Sequence, residues 1–311
     1  MLPVIIIFFV IIGVMRVVQK VCSKKVSKLI DGSTYFHYGA YYQLLSAAFS
    51  LIALIFVDFQ GFDWKTFWFA VGAAVFTAIV LFTEMEALKG SSLIVGQMFD
   101  AGSIVIPCLF GHFFSNQPMT IWQWFGLLFF MFAMYLMLSQ GKGGADEQRQ
   151  KTSPRALVLL IVMWLAAGGL MIIQNGVGEA HSEMFCFIMF AVNALVLYVC
   201  YFVQGLLSKK TTANLDKQQN AVFKPLSKTF LICGAFLALA LFAINFLVVN
   251  LSTKLSAIGR QPLLFPLSAA IAITVTTLVG RFVYKEKMLL RNIIGMVLSA
   301  ISVIIIAMCT A

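Results

Sequence analysis

Asp100 stands inside an apolar stretch, SSLIVGQMFDAGSIVIPCLF, in which every neighbour within two residues is apolar. Read as a helix beginning near residue 92, the stretch carries Asp100 about 12 Å along its axis at about 1.5 Å per residue. Half the hydrocarbon core of a bilayer is about 15 Å. An ionised carboxylate at that depth costs at least about 2.5 kcal/mol unless it is neutralised, paired or hydrated. Gln97, Asp100, Ile104 and Pro107 fall on one face by three- and four-residue spacing. Such a carboxyl suits proton coupling or cation binding; the plainer reading is an acid holding a neighbouring backbone or hydroxyl group.

Other residues could share that chemistry. Glu84 ends an apolar run near a membrane surface, where interfacial solvation is the default and an inward-facing gate the sharper alternative. Arg260 and Gln261 open a later run, and the Arg fork could grip a carboxylate or phosphate, or snorkel to headgroups. Tyr35, Tyr38 and Tyr42 fall on one helical face. They offer a stacking or cation–π wall, although an interfacial aromatic belt accounts for most of their spacing. Asn175, Asn193 and Asn245 are intramembrane amides that could line a cavity or bond between helices. Trp164 is either packing or a stacking surface. His112 and His181 lie at helix ends and suggest surface histidines.

The elements that must position these groups follow from composition. With 61% hydrophobic and 11% charged residues, the 311-residue chain has too little polar surface to cover a soluble fold. Its outside must face lipid, so its backbone must satisfy itself in helices or a closed barrel. The apolar runs are about 20 residues long and continuous, without barrel alternation. An all-α integral membrane fold follows. Ten spans are expected at roughly 2–19, 34–58, 66–87, 92–114, 119–139, 156–175, 182–207, 226–250, 256–281 and 289–309. Met1 to Met15 lacks a basic region and a small-residue cleavage site, and reads as a first span rather than a removable signal.

The basic residues report orientation. Of 22 Lys and Arg residues, 19 fall in odd-numbered connections, beginning with Arg16, Lys20, Lys24, Lys25 and Lys28. Only Lys65, Lys254 and Arg260 lie near the even ones. Positive loops stay cytoplasmic, so both termini are expected outside a cell (inner or plasma) membrane. The net charge of +10 therefore reflects topology, and nucleic acid is not an expected partner. The six cysteines match neither a metal site nor a disulfide framework and read as small core hydrophobes.

Polar residues 140–155 divide the spans into two repeats, 1–139 and 156–311. Five spans is an odd number, so the halves enter the membrane in opposite senses, as in the inverted repeats of many secondary transporters. Such carriers often bind solute where helices are broken by Gly or Pro at matching places. The fourth span has Gly96, Gly102 and Pro107; the ninth has Gly259, Pro262 and Pro266. A proline frees a carbonyl one turn back, which either faces a cavity or merely kinks the helix.

Pro266 in LLFPLSAA, Glu286 in YKEK and Gly295 nine residues later resemble the EamA-like domain of the drug/metabolite transporter superfamily. The first half carries a fainter copy, Gln117 with Gly126 nine residues on, and glutamine stands where the domain has glutamate. Pro266 also lies about two turns earlier than the usual proline. The resemblance implies two five-helix repeats around a central cavity and alternating access, with export more expected than uptake.

The expected function is a secondary transporter of small organic metabolites: amino acid, amine, drug or sugar-like solute. Proton coupling is open, and so is a homo-oligomer. The expected partners are a small-molecule substrate and the lipid bilayer. No Walker loop, metal-ligand spacing or convergent acid–base set is present, so no cofactor, metal or catalytic residue is expected. An intramembrane enzyme acting on lipids and a channel or scaffold are the alternatives.

Overall fold

The computed structural model describes residues 2–30, 32–56, 62–114, 119–138, 153–177, 182–212, 227–256, 264–284 and 290–308. Among them every regular element is a helix: α1 (Leu2–Ser27), α2 (Gly32–Phe56), α3 (Trp64–Lys89), α4 (Leu93–Gly102), α5 (Val105–Phe114), α6 (Ile121–Leu138), α7 (Pro154–Gly176), α8 (Ser182–Thr212), α9 (Lys228–Ser256), α10 (Leu264–Phe282) and α11 (Leu290–Met308). Seven helical segments, with Leu93–Phe114 taken as one, are long and apolar enough to cross a bilayer. Three more apolar stretches, Ile121–Ala133, Leu267–Phe282 and Ile293–Ser302, are shorter. Large apolar side chains such as Leu44, Ile55, Trp68, Phe132, Leu195 and Ile232 point outward. In water such a surface would aggregate; in lipid it is the solvated face. The chain is a multi-pass helical membrane protein.

Helix starts follow local chemistry. The Asp63 carboxylate accepts hydrogen bonds from the Lys65 and Thr66 amides at the head of α3, and Ser92 and Ser153 do the same for α4 and α7. Pro154 occupies the first turn of α7, where a missing N–H costs nothing.

The first span runs farther than its charges suggest. It continues to Ser27, so Arg16, Lys20 and Lys24 belong to α1 and not to the first connection. The reason is that its charges find partners inside the bundle, and Val17, Cys22 and Val26 keep packing on its apolar side.

The fourth span is broken. Its two pieces, α4 and α5, meet at a turn over Ser103 and Ile104. Pro107 lies four residues beyond Ser103 and lacks the N–H that would bond the Ser103 carbonyl, and its ring crowds that group. The Ser103 carbonyl accepts from the Ile106 amide at 3.1 Å instead, tightening the turn. The ninth span differs. Pro266 falls in the first turn of α10, where no intrahelical donor is needed, so no mid-helix break arises there. Gly259 and Pro262 lie outside the described residues.

The helices pack in pairs: α2 on α8, α3 on α7, α6 on α11, α1 on α9, and α10 on both α1 and α4. One end of the bundle carries Lys24, Lys25, Lys28, Lys89, Arg155, Lys228 and Arg281 and is called the basic end below. Contacts knit it together: the Ser153 amide donates to the Gly90 carbonyl at 3.1 Å, and the Tyr284 hydroxyl to the Val21 carbonyl at 3.4 Å. At the opposite end Asn250 on α9 donates to Ser182 on α8. Near the break, α7 comes so close to α5 that a Cβ on Gly168 would lie 2.4 Å from Ile106 Cδ1.

Candidate functional site

Three helices bring charge together within the basic half of the bundle. From the helix ends at Ser27, Lys89 and Ser92, Lys20, Glu84 and Asp100 lie about 10, 8 and 12 Å deep at about 1.5 Å per residue. Three side chains from three helices thus reach one level. Lys20 Nζ is 3.2 Å from Glu84 Oε1 and 3.2 Å from Asp100 Oδ2. Arg16 Nη1 donates to the same Asp100 oxygen at 3.3 Å, and Gln19 Nε2 donates to Glu84 Oε2 at 3.3 Å. One turn toward the basic end, Lys24 Nζ donates to the carbonyls of Leu88 and Ser91 at 2.9 and 2.5 Å, capping the end of α3.

The Lys20 side chain is 0% exposed and that of Glu84 1%. Two positive and two negative side chains form a cluster with no net charge. That balance is what permits burial, because an unpaired ion in a medium of low permittivity loses its hydration without return. Asp100 is therefore held by cations rather than by a backbone or hydroxyl partner. Glu84 is not an interfacial acid, since the bundle encloses it.

Beside Glu84 lies an aromatic wall on α2. Tyr35, Tyr38 and Tyr42 are all buried by protein, so the lipid-interface belt does not describe them. Protein covers them because α2 packs against both α8 and α9. The Tyr38 ring lies 5.0 Å from Tyr42 and 5.4 Å from Phe230. The Tyr42 hydroxyl lies within hydrogen-bonding reach of Tyr35 and Gln43, while the Tyr38 hydroxyl and both ends of the Asn193 amide make no hydrogen bond within the protein.

The remaining predicted residues scatter. Gln97 is buried on α4, one turn before Asp100, with Oε1 unbonded. Pro107 sets the α4–α5 break, while Ile104 stays buried beside it. Asn245 accepts from Gln174 Nε2 at 2.7 Å and donates to the Leu241 carbonyl, forming a neutral centre between α7 and α9. Asn175 is exposed and joins neither centre; its neighbour Gln174 takes the inward position. Trp164 is half-buried with Nε1 unbonded. Pro266 lies at the head of α10, and Arg260 and Gln261, like Gln117 and Glu286 of the family pattern, lie outside the described residues.

Sequence reasoning missed Arg16, Gln19 and Lys20 as site residues, having assigned the two cations to a loop. The signal was present: Arg16, Gln19, Lys20, Ser23, Lys24 and Ser27 repeat at three- and four-residue intervals, a polar stripe along an otherwise apolar helix. Among the described residues, no three His, Cys, Asp or Glu side chains gather to hold a metal. The described cysteines are free thiols, with Cys22, Cys186 and Cys233 buried.

With this geometry in view, known proteins place the fold. One solved crystal structure, described simply as that of a protein, matches with a TM-score of 0.58 over 96% of this chain and 95% of the other, at 14% identity. The likeness is one of fold. No family model and no curated protein matches the sequence.

Proposed function

We propose that the chain is a secondary carrier of small organic solutes, of the drug/metabolite transporter kind, working by alternating access between two inverted five-helix repeats. The observation that carries this reading is the buried cluster of Arg16, Lys20, Glu84 and Asp100 on three apolar helices. Ionisable groups inside a membrane are costly, and they characteristically mark solute or proton pathways.

The packing pattern supports the repeat. Exchanging α1, α2, α3, α4–α5 and α6 for α7, α8, α9, α10 and α11 maps the main contacts onto one another. The pairs α2·α8, α4·α10 and α6·α11 return to themselves, and α1·α9 becomes α7·α3, while α2·α9 becomes α8·α3. Equivalent helices start at opposite ends of the bundle, which is the sense of an inverted repeat. By the positive-inside rule the basic end is cytoplasmic and both termini are outside. In this reading the cluster closes the cytoplasmic half, and α4–α5 bends at Ser103 as the halves rock. Protonation of Asp100 or Glu84 would loosen Lys20 and couple solute movement to protons.

The test is counterflow in proteoliposomes with a metabolite panel, with and without a pH gradient. Saturable exchange that responds to the gradient is expected, and Asp100→Asn, compared at equal amounts of monodisperse protein, should lose that response. Non-saturating conductance would identify a channel. An unchanged pH response in Asp100→Asn would reduce the cluster to structural glue.

A further inference from the structure

Of the four ions in the cluster, two are sealed and two are not. Lys20 and Glu84 are enclosed, whereas the side chains of Arg16 and Asp100 keep 14% and 7% of their surface open. That open surface does not face lipid. The lipid side of α1 is marked by the exposed Ile7, Val10 and Val14. Arg16, two residues after Val14, points about 160° away from it at about 100° per residue. It faces Asp100 on α4, on the side where α3, α4, α9 and α10 pack against α1. Arg16 precedes Ser27, the last residue of α1, by 11 residues. That is about 16 Å from the basic end at about 1.5 Å per residue, or about half the hydrocarbon core. The open edges of Arg16 and Asp100 thus border space inside the bundle at mid-depth.

Arg16 is also underused. A guanidinium carries five donors in a rigid fork, yet Asp100 engages Nη1 alone and Nε makes no hydrogen bond. The acids around it are already answered. Asp100 Oδ2 is shared with Lys20 at 3.2 Å, so Asp100 keeps a cation if Arg16 turns away. Glu84 is held by Lys20 and Gln19, with the Ser23 hydroxyl in reach and Tyr35 and Tyr42 beside it. The other acids among the described residues stand elsewhere. Asp63 and Glu183 lie at the opposite end of the bundle, and Glu86 is paired with Lys89 and Arg155. Within the cluster, the edge that carries Arg16 Nε is a cationic donor without an acceptor.

We infer that Arg16 is the solute-binding residue of the carrier and that it takes a monocarboxylate, which moves together with one proton held on Asp100. The inference rests on the transporter reading and narrows it. Two parallel N–H groups on one edge of a guanidinium match the two oxygens of a carboxylate. The cluster is neutral by itself, so a bound monoanion adds one negative charge that a medium of low permittivity does not tolerate. One proton cancels it. Asp100 takes that proton because it gives up Arg16 to the solute, while Glu84 loses no partner. The Arg16–Asp100 hydrogen bond breaks, the guanidinium–carboxylate bonds form, and solute and proton together carry no net charge. An uncharged solute makes no use of the guanidinium, and an ammonium finds both acids already on Lys20.

The experiment is counterflow and pH-gradient-driven uptake with purified full chain in liposomes that hold a trapped pH dye. The probes are pyruvate, D-gluconate, L-alanine, D-glucose and ethanolamine. Saturable exchange of pyruvate or D-gluconate is expected, with one proton entering per solute and no response to an imposed potassium diffusion potential. Arg16→Lys keeps the charge and removes the fork, and at equal amounts of monodisperse protein it should raise KM roughly tenfold or more. Arg16→Gln/Asp100→Asn keeps the cluster neutral, and the folded double variant should move neither carboxylate nor protons. Unchanged carboxylate exchange in both variants would overturn the assignment to Arg16. Carboxylate exchange without proton entry would overturn the role of Asp100. Exchange confined to L-alanine, D-glucose or ethanolamine would overturn the substrate class and leave the carrier reading standing. Conductance, or no flux of any probe, would overturn both.

Discussion

In the basic half of the bundle, α1, α3 and α4 join four ions around Lys20; in the other half, α7 and α9 join two amides, Gln174 and Asn245. In the proposed repeat these helices are counterparts, yet one centre is ionic and the other neutral. The difference bears on how each half can open. An amide pair within a membrane is worth about 0.6–1.7 kcal/mol, so separating it is a small step under any condition. Separating a buried ion pair strands charge, and the cost is several kcal/mol unless a proton or an ionic partner intervenes. In the proposed carrier, one half would be a light latch and the other a lock that responds to charge.

The largest effect should come from Lys20→Met. It leaves two carboxylates facing Arg16 alone, and a loss of about 3–5 kcal/mol is expected, read as a large fall in unfolding temperature in detergent. Lys20→Met/Glu84→Gln restores the balance and should recover most of that loss. If the single and double variants melted alike, the cluster would not be the lock described.

Gly168→Ala tests the proposed hinge at the α4–α5 break. The added methyl would meet Ile106 at the α5–α7 crossing, and overpacking of this kind costs about 1–3 kcal/mol. Slower counterflow at unchanged apparent affinity is the expected signature, since the crossing touches the break and neither polar centre.

The smallest effect belongs to the neutral centre. Asn245→Leu should cost about 0.6–1.7 kcal/mol and leave the pH dependence of transport unchanged. A shift in that pH profile would erase the distinction between the two halves.

How much of this was legible in the chain depended on the type of signal. The break in the fourth span could be read from Pro107, because proline acts on its own helix, four residues back. Asp100 could be singled out because a carboxylate in an apolar run conflicts with its immediate neighbours. Lys20 and Glu84 could not be paired with it, since the three lie 64 and 16 residues apart in order and meet only through the packing of α1, α3 and α4. Read alone, Arg16 and Lys20 looked like the start of a loop, and Glu84 like an interfacial acid. The tyrosines of α2 looked like a lipid-facing belt for the same reason: spacing shows which residues share a face, not what that face meets.

The sequence by itself determined the membrane class, the helical build and most span positions. Those depend on the apolar character of contiguous residues and on local rules for prolines, glycines and caps. Only the tertiary structure decided that four charges cancel within one half and that the other half is held by amides. Charge compensation is a property of distances between helices, and no linear pattern of residues encodes those distances directly.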